Sequence, residues 1–300
     1  MFQDHDYVRR AVERVRTGRL SRRSFVAAGV AAGFATPTAG RNETSRNTVA
    51  RFLGAVMSHD AATMRQLANP DYIQHNPFIP TGLEPFIGLL PVLEESGTHA
   101  ENVRMFADGT FVFMHNIWHN AEPFGAEEMV SFDIIRLDEN GKVAEHWDAM
   151  MPQTPPNPSG RTLTDGATMI TDLDQTEANK HQVATLFDVL IHGTPEQAGA
   201  AMQANFAPDY LQHNPVAADG LDGFMAALPV EQWVFTRQHK VLGEGSFVLS
   251  ISEGTRQGTP VAFYDLLRLE NSTIVEHWDV IQAIPTQGLA NNNGMFGFEE

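Results

Sequence analysis

Apolar residues recur at helical spacing at Val49, Phe52, Leu53 and Val56, and a shorter stretch around Met64 and Leu67 runs on to Asn69-Pro70. Separations of three and four residues put side chains on one helix face. The pattern therefore predicts one long helix and one short helix ending before a proline. A Gly-containing loop and a further helix-like stretch, Leu83 to Leu93, follow. The period then changes. "TFVFMHNIWH" after Asp108-Gly109, and "SFDIIRLDENGKVAEHWDAM" around Asn140-Gly141, read as strands, the second as a hairpin.

The same succession is written again. Val183, Leu186, Phe187 and Leu190 predict the long helix, Ala200 to Phe206 the short one before Pro208, and Leu221 to Leu228 the next. "SFVLSIS" follows Glu244-Gly245, and "FYDLLRLENSTIVEHWDVI" closes the copy. Two phrases return nearly verbatim: "DYIQHNP" from Asp71 as "DYLQHNP" from Asp209, and "EHWD" from Glu145 again from Glu276. The order is the same and the offsets are similar, 138 and 131 residues, which predicts an internal duplication. Helices first and a mostly antiparallel sheet afterwards make each copy α+β. The expected organisation is repeat 1 over 41–153, a Pro/Gly/Thr-rich linker over 154–176 and repeat 2 over 177–300.

Hairpin register concentrates the chemistry. A two-residue turn at Asn140-Gly141 sets Glu139 opposite Lys142, Arg136 opposite Glu145 and Asp133 opposite Asp148. A three-residue loop, Asn271 to Thr273, sets Arg268 opposite Glu276 and Asp265 opposite Asp279. Facing carboxylates repel, and in apolar surroundings one of them keeps its proton near neutral pH. One ionised and one protonated carboxyl suit enolisation, the first as base and the second as hydrogen-bond donor. At a sheet edge in water the same residues would only solubilise it. Strand alternation puts His146 and Asp148 on one face, Glu145 and Trp147 on the other.

Charge divides the chain. Its net is −17, but residues 1–40 hold seven Arg against three acidic residues, and the rest carries 13 basic and 34 acidic. An acidic body repels phosphate backbones, which argues against a nucleic-acid partner. The absence of cysteine excludes disulfides, thiolate metal sites and a Cys nucleophile. Arg22-Arg23 precede an Ala/Gly-rich run from Phe25 to Ala35, too short to span a bilayer. This resembles a bacterial twin-arginine signal over 1–40, with cleavage expected between Pro37 and Gly40, export, and no stable membrane insertion afterwards. The alternative is an Ala-rich helix within the fold.

The phrases "YIQHNP", "YLQHNP" and "IVEHWDVI", with the tail "NNNGMF", resemble the SnoaL-like proteins of the nuclear-transport-factor-two-like superfamily. The resemblance covers about 46–153 and 177–298. It implies two tandem cone-shaped α+β barrels, each a curved sheet wrapped around helices with a pocket at its open end. It also implies a small-molecule substrate or ligand, and chemistry without metal or organic cofactor, as in polyketide cyclases that close a ring by aldol condensation. The acid/base carboxylate of such cyclases falls at Asp148 and Asp279. Their partner-strand histidine is replaced by Asp133 and Asp265. Relatives dimerise through their sheets, so an internal pseudo-dimer of the two repeats is expected, with a homo-oligomer open.

The catalytic candidates are thus Asp148, Asp133, His146, His75, Asp279 and Asp265. Tyr72, Asn76, His115, Trp118, His119, Tyr210, His213, Asn214 and His277 are candidates for substrate binding. His75-Asn76 and His213-Asn214 suit either a substrate oxygen or the stabilisation of a turn before proline. His115 and His119 have no counterparts in repeat 2, where Ile251 and Thr255 stand. Repeat 1 is therefore expected to be the more active half. His75, His115, His119 and His146 offer enough ligands for a three-histidine metal site, but the spacing fits no metal signature and no metal is expected. Two further readings remain: hydrolysis by Asp148-activated water, and a non-catalytic small-molecule binder.

Overall fold

The computed structural model describes residues 37–298. The arginine pair and apolar run behind the export reading lie outside the described residues. Unit 1 contains helices α1 (Pro37–Met57) and α2 (Ala61–Leu67), strand β1 (Ala68–Gln74), short helices α3 (Leu83–Ile87) and α4 (Leu90–Ser96), then β2 (His99–Asp108), β3 (Phe111–His119), β4 (Glu128–Leu137) and β5 (Val143–Pro152). Unit 2 contains α5 (Thr176–His192), α6 (Pro195–Asn205), β6 (Phe206–Gln212), α7 (Gly220–Glu231), β7 (Val234–Glu244), β8 (Phe247–Arg256), β9 (Thr259–Glu270) and β10 (Thr273–Ala283). The sheet orders correspond, β1-β5-β4-β3-β2 and β6-β10-β9-β8-β7, with only the first strand of each running parallel to its neighbour. The architecture is α+β, as two tandem units. Among the described residues no helix is long and apolar enough to cross a membrane.

Alternation divides each sheet between two cores. Val112, Met114 and Ile135 bury against Val49, Phe52, Leu53, Val56 and Met64 from α1 and α2. The opposite face offers Phe113, Phe132, Ile134 and Trp147, which share one apolar cluster with Leu249, Tyr264, Leu266 and Trp278 of the second sheet. The two sheets thus pack face to face, and Met150 N donates across the seam to Gln282 Oε1 at 2.7 Å. Residues that follow each sheet cross over: Asn157 bonds to unit 2, and Asn291 to unit 1.

Two expectations need correction. The stretch Leu83 to Leu93 is two helices, because Pro91 lacks an N–H and its ring would clash with the carbonyl of Ile87, so a new helix starts there. The hairpins also reach their register by another route. In unit 1 the strands stop at Leu137 and Val143, and the Asp138 carboxylate accepts from the N–H groups of Asn140 and Lys142 to close the loop. Glu139 and Lys142 therefore do not pair within the ladder. In unit 2 the turn is the two-residue Asn271-Ser272, both at positive φ (48° and 60°), which matches the twist of a tight hairpin. Each ladder then shifts register by one residue, after Val143 and after Ile274. Bulges absorb the difference, and Asp133 still faces Asp148 and Asp265 faces Asp279.

Candidate functional site

In "YIQHNP" alternate residues take opposite faces. Tyr72, Gln74 and Asn76 turn toward the helix-lined interior, while His75 turns to the seam between sheets and stacks on Trp147 with ring centroids 4.7 Å apart. β1 runs parallel to β5 with Gln74 beside His146, and this delivers the first strand's polar residues to the "EHWD" strand.

The hydrogen bonds assign the protons. Gln74 Nε2 donates to the Tyr72 hydroxyl at 3.0 Å, while Gln74 Oε1 accepts from the backbone N–H of Asn76 at 2.8 Å. That oxygen also lies 2.9 Å from His146 Nδ1, so Nδ1 must carry hydrogen. Nε2, 3.0 Å from Asp133 Oδ1, then faces a carboxyl oxygen and needs a proton between them. Burial pulls the His146 imidazole down. The hydrogen bond to Asp133 and the charges of Asp148 and Asp133 outweigh it, and its pKa ends raised. An imidazolium bonded to Asp133 satisfies every contact.

Asp148 is the other member. Burial pushes its carboxyl up to about 6; His146 opposes this, Asp133 adds to it, and the bond from Asn76 opposes it. Asn76 Nδ2 donates to Asp148 Oδ2 at 2.8 Å. Asn76 Oδ1 accepts from Phe78 N, which fixes the amide orientation. Asp148 Oδ1 is buried and finds no hydrogen-bond partner among the described residues.

Unit 2 repeats the arrangement atom for atom. His277 bonds to Gln212 Oε1 at 2.9 Å and Asp265 Oδ1 at 3.1 Å, and Asn214 donates to Asp279 Oδ2 at 2.7 Å. Gln212 again donates to a tyrosine, Tyr210. Burial pushes Asp279 up to about 6, against the pull of His277 and with the push of Asp265. The His277 imidazole is lowered by burial, yet its pKa is raised on balance by Asp265 and by the charge of Asp279.

The units differ around this shared cluster. In unit 1, Asn116 and Ser131 both donate to Asp133 Oδ2, and the buried Trp118 donates to Ser131 Oγ at 2.9 Å. Register aligns Trp118 with Gly254, Asn116 with Ser252 and Ser131 with Phe263. Unit 2 thus lacks the indole, and no side chain donates to Asp265 Oδ2 among the described residues. Asp265 Oδ2, Asp279 Oδ1 and Ser252 Oγ are all buried without a partner among the described residues. A small cavity opens on this cluster, lined by Asp265, His277 and Asp279 and walled by Phe224, Trp233 and Phe263.

The other candidates separate from it. His75 Nε2 meets Glu145 Oε1 at 2.8 Å, and His213 Nε2 meets Glu276 Oε1 at 3.0 Å, both on the seam side of the sheets. His115 also faces the seam: Arg104 Nη1 donates to its Nδ1 at 2.6 Å, and burial, then Arg104 and His213, hold its pKa well down. His119 sits at the end of its strand, paired with Glu128. The histidines on which the preference for repeat 1 rested therefore lie outside the pocket, and His75, His115 and His146 form no common metal site. Each unit does bring donor atoms of an Asp-His-Asp set within 4.8 Å of one another, Asp133, His146 and Asp148 or Asp265, His277 and Asp279, and these sets could hold a metal ion. Sequence reasoning missed Gln74, Gln212, Asn116 and Ser131. The glutamines were legible, since each shares the alternation with Tyr and Asn in both copies of the motif.

Residues 49–146 match the family model described as SnoaL-like domain. No functionally curated protein matches the chain. Solved structures similar to it include IdmH of Streptomyces antibioticus, described as a candidate polyketide cyclase, at 23% identity over 35% of this chain and 91% of that one, TM-score 0.30. A LEH-like epoxide hydrolase of M. tuberculosis matches at 17% identity, covering 36% and 82%, TM-score 0.31. A protein from Kribbella flavida DSM 17836, described as a candidate ketosteroid isomerase, matches at 16% identity, covering 39% and 84%, TM-score 0.33.

Proposed function

We propose that this chain is a cofactor-free acid/base enzyme for a small, largely apolar carbonyl compound, and that unit 2 is its working half. The observation that carries this reading is Asp279: a buried carboxyl with a pKa of about 6 and one unpartnered oxygen, at the polar end of an aromatic-walled cavity. A base with its pKa near the operating pH combines a usable ionised fraction with real proton affinity. The SnoaL-like match over 49–146 supports the same class of protein.

In this mechanism Asp279 Oδ1 takes a proton from the carbon next to the substrate carbonyl. The C–H electron pair moves into the new C=C bond, and the carbonyl pair moves to oxygen. Asn214 holds Oδ2 and aims Oδ1 into the cavity. The donor for the developing oxyanion is Trp233, whose indole N–H has no partner among the described residues, while the His277 imidazolium, bonded to Gln212 and Asp265, contributes its positive charge. The enolate then attacks a second carbonyl, in aldol condensation or cyclisation, or recovers the proton at another carbon, in isomerisation. Asp279 returns the proton in either case. In unit 1 the homologous space holds Trp118, and its role is that of the packed half of an internal pseudo-dimer. A second reading rests on the unpartnered Asp265 Oδ2 opposite Asp279 Oδ1, which suits a water held between two carboxyls and hence hydrolysis.

Proton abstraction can be tested before the product is known. A panel of apolar ketones is incubated with the protein in D₂O and followed by ¹H NMR. Loss of α-proton signal above the buffer rate, absent in Asp279→Asn, is expected. Saturable binding of a ketone without exchange would leave a non-catalytic binder as the reading.

A further inference from the structure

The segments that follow the two sheets cross between units in the same way. After β5 the chain leaves unit 1 and lies on unit 2. The buried Asn157 donates through Nδ2 to the carbonyls of Gln212 (2.6 Å) and Ala217 (3.0 Å), and more distantly to that of Asn214 (3.3 Å). Asn157 Oδ1 accepts from Ser159 N and Arg161 N, which fixes the amide orientation. Arg161 then forms a two-pronged ion pair with Asp219. After β10 the chain returns to unit 1. Asn291 Nδ2 donates to the carbonyls of Asn76 (2.7 Å) and Ile79 (2.8 Å), and its Oδ1 accepts from Asn293 N. Asn293 Nδ2 adds a bond to Gln74 O at 2.8 Å.

Each crossing segment therefore ties down the carbonyls of the other unit's "QHNP" loop, just where that loop presents Asn214 or Asn76 to a buried aspartate. These loops follow the first strand, and the sheet reaches them through the bonds from His75 N to His146 O (2.8 Å) and His213 N to His277 O (2.9 Å). Beyond them, the buried Asn157 satisfies three carbonyls of one loop and the partly exposed Asn291 two of the other.

We infer that Asn157, in the segment that follows the sheet of unit 1, is a positioning residue for Asp279 in unit 2, and that Asn291, in the segment that follows the sheet of unit 2, serves Asp148 reciprocally, so each site is completed by the segment that leaves the other sheet. The inference rests on the reading that the two aspartates are the working carboxyls. Its test is a titration and needs no turnover, so it can fail while the proposed chemistry stands.

The carboxyl carbons of Asp148 and Asp279 are followed by ¹³C NMR against pH in the full chain and in Asn157→Ala and Asn291→Ala. A loosened Asn214 donates less well to ionised Asp279. In Asn157→Ala the Asp279 midpoint is expected to rise by up to about one pH unit while that of Asp148 stays. Asn291→Ala is expected to raise Asp148 alone. A purely structural role would lower the melting temperature in both variants and move neither midpoint; equal movement of both midpoints in each variant would point to general loosening. Either result overturns the inference. Should the buried Asn157→Ala fail to fold, the partly exposed Asn291 decides alone, by whether Asp148 moves without Asp279.

Discussion

Asp279→Asn is the most informative single substitution, because it separates what the carboxyl costs from what it does. The folded state holds this group at about 6 against 3.8 for an unhindered aspartate, chiefly through burial. A raised acid pKa means that the folded state binds the proton more tightly. The associated stability is complete below the unfolded value and is lost as pH rises through the folded one. The difference of about 2.2 pH units, at about 1.4 kcal/mol each, amounts to about 3 kcal/mol of destabilisation at pH 8. At pH 4 the same linkage leaves only about 0.5 kcal/mol. Asparagine has the same shape, keeps an oxygen for the Asn214 donor and carries no charge. The variant is therefore expected to melt several degrees above the parent at pH 8, with about 3 kcal/mol as the ceiling, and close to it at pH 4. It is also expected to exchange no α-protons. Differential scanning calorimetry at the two pH values, with the D₂O exchange assay, measures both. A variant less stable than its parent by the same amount at both pH values would refute the reasoning, since the buried charge would then contribute no strain.

In the parent, exchange should rise with pH around 6 as Asp279 ionises and fall at higher pH as His277 loses its proton, at a midpoint above the ordinary 6.5, so the rate profile is a bell. Trp118→Gly should open a second cavity in unit 1 at a cost of about 3–5 kcal/mol, and the bound ligand per chain, read by calorimetric titration, should rise from one to two. Gly166 lies at φ +91°, where a Cβ would fall 2.2 Å from Glu276 Oε1 and 2.7 Å from the Trp278 ring; Gly166→Ala should destabilise by at least about 1–3 kcal/mol in urea melts. Gly199→Ala, in an α6 position with open space, should be neutral or stabilising. Changing Arg22 and Arg23 to Lys should hold the protein in the cytoplasm, and equal fractionation of parent and variant would remove the export proposal.

Much of this was legible in the chain, because it depends on local periodicity. Alternation assigned His146 and Asp148 to one face and Trp147 to the other, and the "EHWD" hairpins set aspartate opposite aspartate in both units. These are short-range properties of strands, for which the period of two and the turn length suffice. The bulges that carried the register were not legible, since Ala144 and Val275 give no local sign of being extra residues. Nor was the fate of His75 and His115. A strand has two faces, and the sequence says which residues share one without saying which face becomes the pocket and which the seam. That choice was made by the second sheet, whose Trp278, Tyr264 and Leu249 claimed one side of unit 1 and left the other to the helices. The same long-range packing set Trp118 in the pocket of unit 1 and Gly254 at the matching place in unit 2. It also brought Asn157 and Asn291 across to loops more than 50 and 200 residues away in the chain. Hydrogen bonds at such separations depend on where whole units come to rest, and only the folded molecule contains that information.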